Sequence, residues 1–294
     1  MLNLKNANFI VVVLIALSLF FLTKLLVSNT PMTYIPHELE SRILTEELIK
    51  EFNNEESLFF MFESENAFES KFLSKLSRFV NEIKSFDKTK DIGSIFDYEA
   101  IRATDEGFQI RPIISSDDPE NSSFDQVSES VSVDHFVKDF FVSKDIKVFG
   151  VLVEPKDIQT SFERKFYEEK VLQSLKKHEL ENALVAYGGE FAVDTAQFDE
   201  LNNIMLVLAP LTLLIGIALL FLLFNSLGAV ALGAGFNLLA AIVTMSFFGV
   251  FGWPFNLIGS MIPTLMMALS TAFTVHLYNG ILLPKTPELS MRKP

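Results

Sequence analysis

The stretch that decides the fold is residues 204–224, which read IMLVLAPLTLLIGIALLFLLF without a charged side chain. Two further apolar runs follow almost at once, at residues 227–251 and 257–283, and another lies near the start, at residues 9–27. Each run is about long enough to cross a bilayer core of roughly 30 Å as an α-helix. The sequence therefore predicts a membrane α-helical bundle of four transmembrane helices.

The charged residues are concentrated between the first run and the other three. Residues 29–203 contain 19 basic and 36 acidic side chains, whereas the rest of the chain contains five basic residues and one acidic residue. This acidic excess repels nucleic acids and anionic surfaces, so we expect no nucleic-acid partner. Because the chain has no cysteine, we expect a hydrophobic core and no disulfides to hold this segment.

The predicted organisation has four parts. Residues 1–28 form transmembrane helix 1, an uncleaved signal anchor, because the apolar run is longer than that of a signal peptide and no Ala-x-Ala-like site follows it. Residues 29–203 form an acidic α+β domain outside the cytoplasm, residues 204–283 form transmembrane helices 2–4, and residues 284–294 form a cytoplasmic tail.

The orientation follows from basic residues beside the apolar runs. Lys5 precedes the first run, and Lys285, Arg292 and Lys293 follow the last. Since positive charges flanking transmembrane helices stay in the cytoplasm, both termini are predicted to be cytoplasmic. We expect a multi-pass protein of the bacterial inner (cytoplasmic) membrane, surrounded by membrane lipids, with its large loop in the periplasm or outside the cell.

Two stretches of the acidic segment have the pattern strand, helix, strand. In the first, strands at 57–62 and 91–96 flank a helix whose apolar residues recur from Phe68 to Ile83. The pattern in the second comprises strands at 146–153 and 183–187 around a helix capped by Ser161, with Phe162 and Phe166 on its apolar face. Two interpretations fit: a duplicated α+β domain built from two β-α-β-type units, or a single mixed domain. Residues 115–130, rich in Ser, Asp, Pro and Asn, are predicted to form a flexible loop.

No catalytic or metal-binding constellation is recognisable. His37, His135 and His178 are scattered and lack the spacing with carboxylates that a metal site requires. The acidic residues fall mostly on predicted helix faces and loops, which is typical of a solvated surface. We therefore expect no metal, no cofactor and no enzyme activity.

The apolar runs contain a small set of polar side chains. Asn237 is the one strongly polar residue of the third run. The fourth run carries a stripe of polar residues on roughly one face, followed by two more near its inner end: Ser260, Thr264, Thr271 and Thr274, then His276 and Asn279. Polar residues within a membrane indicate either a transport pathway or hydrogen bonds between packed helices, and His276 could handle protons.

Several motifs resemble a family of exporters. Residues 224–232 read FNSLGAVAL, residues 251–258 read FGWPFNLI, and IPTL at 262–265 is followed by AFTVHL at 272–277. These resemble the resistance-nodulation-division (RND) exporters, specifically the MMPL/hopanoid-exporter-like branch. The resemblance extends over the whole chain in architecture and is carried by sequence from about Tyr187 to Asn279. It implies a porter-like domain of two β-α-β-type units and efflux of a hydrophobic or lipid-like substrate.

The sequence departs from this family in three respects. Family members have six spans per half, so we expect an incomplete half that needs a second half or forms a homo-oligomer. Ala272 stands where the family carries its proton-relay Asp, ahead of the aromatic Phe273, and alanine cannot carry a proton. Asn225 stands where an Arg is common. The resemblance thus implies an export component without its own proton carrier.

A second function remains open. Membrane proteins of the FtsX/MacB type also have four spans, a large loop after the first span and cytoplasmic termini. They transmit force from a cytoplasmic ATPase and do not carry the substrate themselves. The very short turn at Asn225–Gly228 argues against this alternative, because it offers an ATPase no docking element.

Overall fold

The computed structural model describes residues 4–52, 56–68, 71–104, 107–133, 137–138 and 140–281. The chain divides into two compact units. The apolar unit comprises residues 1–29 and 197–294, and the α/β unit comprises residues 30–196.

The elements follow one another along the chain as α1 (Leu4–Leu22), α2 (Glu40–Phe52), β1 (Leu58–Glu63), α3 (Phe72–Lys84), β2 (Thr89–Ser94), β3 (Glu99–Thr104), β4 (Gly107–Pro112), α4 (Phe124–Val133), β5 (Val148–Pro155), α5 (Ser161–Lys177), β6 (Leu184–Gly188), α6 (Glu190–Asn203), α7 (Ala209–Phe224), α8 (Leu227–Phe251) and α9 (Leu257–Ile281). Short 3-10 turns lie at Pro31–Tyr34 and Pro119–Asn121, and a π-helical turn lies at Ile204–Leu208.

Three helical stretches are long and apolar enough to cross a membrane: Glu190–Phe224, Leu227–Phe251 and Leu257–Gly280. This confirms helices of membrane-spanning length and composition in the last third of the chain. The apolar part of α1, Phe9–Leu22, is shorter than these three, so the prediction of a fourth span depends on the sequence pattern.

Polar side chains and residues with a left-handed backbone conformation lie at the ends of these helices. Asn225 has φ 46° and ends α7, and Gly252 has φ 65° and ends α8. The next helix, α9, is capped twice: Asn256 Oδ1 accepts from the Gly259 N–H at 2.7 Å, and Asn29 Oδ1 accepts from the Leu257 N–H at 2.8 Å. Such caps satisfy amides that the first turn of a helix leaves unpaired.

The segment after α1 is fastened to the turn between α8 and α9. Val27 forms a parallel bridge with Phe255. The Phe255 N–H donates to the Leu26 carbonyl at 2.7 Å, and the Ser28 N–H donates to the Phe255 carbonyl at 3.2 Å. The end of α1 is therefore held within the apolar unit by backbone hydrogen bonds.

Within the apolar unit, α8 contacts α1, α7 and α9. Small residues allow this close packing, as at Gly249, where a Cβ atom would collide with the Phe21 carbonyl of α1. By contrast, a Cβ placed at Gly235, on the same helix, would meet no side chain and no backbone of another element within 4 Å in the described part of the chain.

The core of the α/β unit is one sheet with strand order β2-β5-β1-β6, in which every neighbouring pair is antiparallel. Leu58, Phe60 and Phe62 alternate inward along β1 and are fully buried. The helices α3 and α5 contact each other, and their buried residues belong to the same core.

The two predicted β-α-β stretches interleave in this sheet. Strands β1 and β2 lie on either side of β5, and β5 and β6 lie on either side of β1, which is a split β-α-β arrangement. Two separate β-α-β units are therefore not confirmed. The four strands form one sheet.

Other predictions in this unit were wrong. Residues 115–130 contain the 3-10 turn and most of α4, because Val127 and Val131, four residues apart, are buried in the core.

The cap of α5 is Thr160, which forms a capping box with Glu163, and not Ser161. Phe162 and Phe166 are each 67% exposed, since the buried face of α5 is formed by Arg164, Tyr167, Glu168 and Val171.

We predict that Gly249→Ala loosens the contact between α1 and α8, because the added methyl group collides with backbone that cannot rotate away. The melting temperature of the intact chain in detergent micelles should fall by several degrees. Gly235→Ala is the matched control on the same helix, and it should leave the melting temperature unchanged or raise it, since alanine favours helix more than glycine does. Equal effects of the two substitutions would contradict this packing.

Candidate functional site

Asn237 and Thr271 form a polar contact inside the apolar unit. Asn237 of α8 is 1% exposed. Its Nδ2 donates to the Thr271 Oγ1 of α9 at 2.8 Å, and Thr271 Oγ1 donates in turn to the Met267 carbonyl at 3.1 Å. Gly216 of α7 makes room for the pair, since a Cβ at this position would lie 2.9 Å from Thr271 Oγ1. Three helices thus meet at one hydrogen bond.

Two buried oxygen atoms on α8 and α9 have no hydrogen-bond partner within the described ranges. They are Asn237 Oδ1 and Thr264 Oγ1. An apolar environment raises the free energy of an unpaired polar group, and the bilayer core supplies no water to compensate. The pair of helices α8 and α9 can therefore accept a hydrogen bond from a water molecule or another small polar group.

The rest of the predicted stripe divides into two groups. Ser260 and Thr274 are buried, but their hydroxyls donate to carbonyls of the same helix, Leu257 at 2.6 Å and Ser270 at 2.9 Å. His276 and Asn279 are exposed on the surface of the unit and do not join the buried group. Ala272, at the position of the family's proton-relay Asp, is also exposed.

The sequence did not predict a buried ionic cluster in the α/β unit. Arg164 Nε of α5 donates to Glu56 Oε2 at 2.8 Å and lies 3.1 Å from Asp194 Oδ2 of α6. Asp194 is fully buried, and its Oδ1 accepts from the Ser161 hydroxyl at 2.8 Å. One guanidinium group thus contacts two carboxylates.

A second buried carboxylate links the same two helices. Glu168 of α5 is 2% exposed and accepts from Thr195 Oγ1 of α6 at 2.7 Å and from Lys165 Nζ at 3.2 Å. The prediction that the acidic residues form a solvated surface is therefore wrong for Glu168 and Asp194. Ser161, Arg164 and Glu168 recur at helical spacing, which places them on one face of α5. The sequence pattern nevertheless favours Phe162 and Phe166 as the buried face, because they are apolar.

A cavity of about 730 Å³ adjoins the ionic cluster. Its wall includes Glu56, Arg164 and Glu190 together with apolar side chains of Met32, Ile49, Ile158 and Phe191. Burial raises the pKa of Glu56, and the guanidinium of Arg164 opposes this rise without cancelling it. Its volume is within the range of small-molecule sites.

The histidines do not form a metal site in the described residues, where no group of three His, Cys, Asp or Glu side chains is placed to hold an ion. His178 Nε2 lies 2.6 Å from Glu82 Oε2. The same carboxylate accepts from Lys177 Nζ at 2.7 Å and from Ser174 Oγ at 2.9 Å, and these contacts, the Lys177 bond first, lower the pKa of Glu82 to about 2. His37 is exposed, and His135 lies outside the described residues.

No family model matches the sequence, and no curated protein matches it either.

We predict that Asn237→Ala destabilises the apolar unit, because it removes the hydrogen bond to Thr271 and leaves a small void between α7, α8 and α9. The loss should be about 1 kcal/mol, the scale of hydrogen bonds between membrane helices, and thermal unfolding of the intact chain in micelles measures it. Asn279→Ala, at the exposed end of α9, is the control and should have no effect. If both variants melt like the wild type, the contact contributes nothing to stability.

Proposed function

We propose that this chain is a membrane component of an RND/MMPL-like transporter that exports a hydrophobic or lipid-like substrate. In this proposal α1 is a fourth transmembrane helix, and both termini lie in the cytoplasm. The α/β unit lies on the periplasmic side of the bacterial inner membrane and corresponds to part of the porter domain.

The observation that carries the proposal is a cavity of ligand size in a charged α/β unit, on a chain that also holds three helices of membrane-spanning length. A protein that moves an oily molecule out of a membrane needs both a site outside the bilayer and helices within it. The motif residues shared with the family give further support. Gly252 and Asn256 fall within those motifs, and each of them ends or caps a helix of transmembrane length.

In the family that the sequence resembles, energy coupling uses a carboxylate within the membrane-spanning helices. From Ile204 to Leu283 the sequence contains no Asp or Glu, and Ala272 occupies the position of the family's proton carrier. Proton-driven export therefore needs a carboxylate from a second half or from another protein subunit. The buried oxygens of Asn237 and Thr264 can accept hydrogen bonds but cannot exchange a proton at neutral pH, since neither side chain is ionisable.

The FtsX/MacB-type alternative makes a different demand on the cytoplasmic side. An ATPase needs an element to grip, and only Asn225 and Ser226 separate α7 from α8. This turn is too short to form a coupling helix or lobe. The turn therefore favours the exporter over a force-transmitting role.

The test is to capture the tagged chain from native membranes and to reconstitute it, with whatever copurifies, into liposomes that contain a fluorescent phospholipid. We expect a further membrane subunit or additional copies of this chain, and release of the lipid to acceptor vesicles that increases with an imposed proton gradient. The purified chain alone should show no gradient dependence, because it lacks the carboxylate.

A stoichiometric cytoplasmic ATPase in the captured complex, with lipid release that depends on ATP, would instead establish the force-transmitting alternative. Gradient-driven release by the purified chain alone would contradict the inference drawn from Ala272.

A further inference from the structure

The cavity of the α/β unit is lined by both apolar and charged side chains. Met32, Ile49 and Phe191 are among the apolar lining residues, and Glu56 and Arg164 are among the charged ones. A cavity of about 730 Å³ falls within the size range of sites for small organic molecules. The lining therefore suits an amphiphile, with a hydrocarbon part and one polar group.

The charges at this cavity favour a positive polar group. Lys156 and Asp157 are neighbours in the wall and offset each other. Arg164 is the other cation in the wall, and its Nε contacts both Glu56 at 2.8 Å and Asp194 behind it at 3.1 Å. One positive charge is thus shared by two carboxylates, and Glu190 adds a third, so the formal charge of this group is negative.

Because Glu56 is partly buried, its charge attracts a nearby cation more strongly than the charge of a surface carboxylate does. Its side chain is 24% exposed, and Arg164, its ion-pair partner, is 9% exposed. Charges that are partly withdrawn from water interact more strongly than those on the open surface. A cation that enters the cavity would therefore gain from a second ion pair with Glu56, on the side that Arg164 does not occupy.

A metal ion is a poor match for this position. Metal sites in proteins need several ligand atoms converging on one point, and no group of three His, Cys, Asp or Glu side chains within the described ranges is arranged in that way. An ammonium group needs fewer partners, since it forms hydrogen bonds to one or two oxygens.

We propose that the cavity binds an amphiphilic amine, with its ammonium group against Glu56 and its hydrocarbon part against Met32, Ile49 and Phe191. This inference deepens the proposed function by naming a substrate class. It depends on that function only for the claim that the bound amine is exported. Binding itself requires neither transport nor a second half.

Because the chain has no cysteine, a single introduced cysteine reports on occupancy of the cavity. Thr45→Cys places a thiol in the cavity wall, and Asp125→Cys, at an exposed position on α4, is the control. The rate of maleimide labelling is measured on the intact chain in nanodiscs of zwitterionic lipid. Three probes share one chain length and differ in charge: octylamine, octanol and octanoate.

We expect octylamine to slow labelling at Thr45→Cys and to leave labelling at Asp125→Cys unchanged. Octanol should need about tenfold higher concentrations for the same effect, since it lacks the ion pair with Glu56, and octanoate should have no effect. Adding Glu56→Gln should remove the difference between octylamine and octanol. Glu51→Gln, an exposed carboxamide substitution on α2, should preserve that difference.

Protection by octanoate equal to that by octylamine would overturn the charge assignment, as would an unchanged preference for octylamine in a folded Glu56→Gln variant. Absence of protection by all three probes would overturn the site itself. If Glu56→Gln fails to fold, the comparison of the three probes on the chain with Glu56 intact still tests whether the cavity prefers a positive group. These outcomes are independent of the lipid-release assay, so the binding site can fail while the export function stands, or the reverse.

Discussion

The bilayer core offers no water to an unpaired backbone amide, and this constraint determines how the chain is built. Residues 204–281 satisfy it by forming helices, and Asn225, Gly252, Asn256 and Asn29 close ends of these helices. Charged side chains are excluded from the same stretch. Most of the acidic residues therefore lie in the α/β unit, where water or ion pairs stabilise them.

Both units nevertheless bury polar groups, and they do so in different ways. In the apolar unit the buried groups are neutral, and several of them, such as Ser260 and Thr274, donate to the backbone of their own helix. In the α/β unit Asp194 and Glu168 are buried as carboxylates, each held by a cation and a hydroxyl. Removal of one partner from such a pair is costly because a charge is left buried. The helices α5 and α6 are therefore held together by charge as well as by packing.

Long apolar runs and regular helical or strand periods could be predicted from the sequence, because they depend on local pattern. The helices α8 and α9 begin at the predicted residues, and β1, β5 and β6 lie within about two residues of their predicted positions. Strand order could not be predicted, since the interleaving of β5 between β1 and β2 depends on contacts between distant segments.

The same limit applies to the candidate sites. The inward position of Ser260 and Thr274 follows from helical spacing, and Asn237 was identified as a polar residue able to bond to a neighbouring helix. The cluster of Glu56, Arg164 and Asp194 joins residues far apart in sequence, and no local pattern connects them. Helix α4 was missed because its serines and acidic residues outnumber the two valines that anchor it in the core.

The central claim is that four crossings separate a charged unit outside the cytoplasm from cytoplasmic termini. Single cysteines at Asn3, Asp117 and Leu227, in a chain that otherwise has none, can be labelled with a membrane-impermeant maleimide in intact spheroplasts and after lysis. The account predicts that Asp117→Cys reacts in intact spheroplasts, whereas Asn3→Cys and Leu227→Cys react only after lysis. Labelling of Asn3→Cys before lysis would contradict the first crossing, and labelling of Leu227→Cys before lysis would contradict the orientation of the whole membrane region.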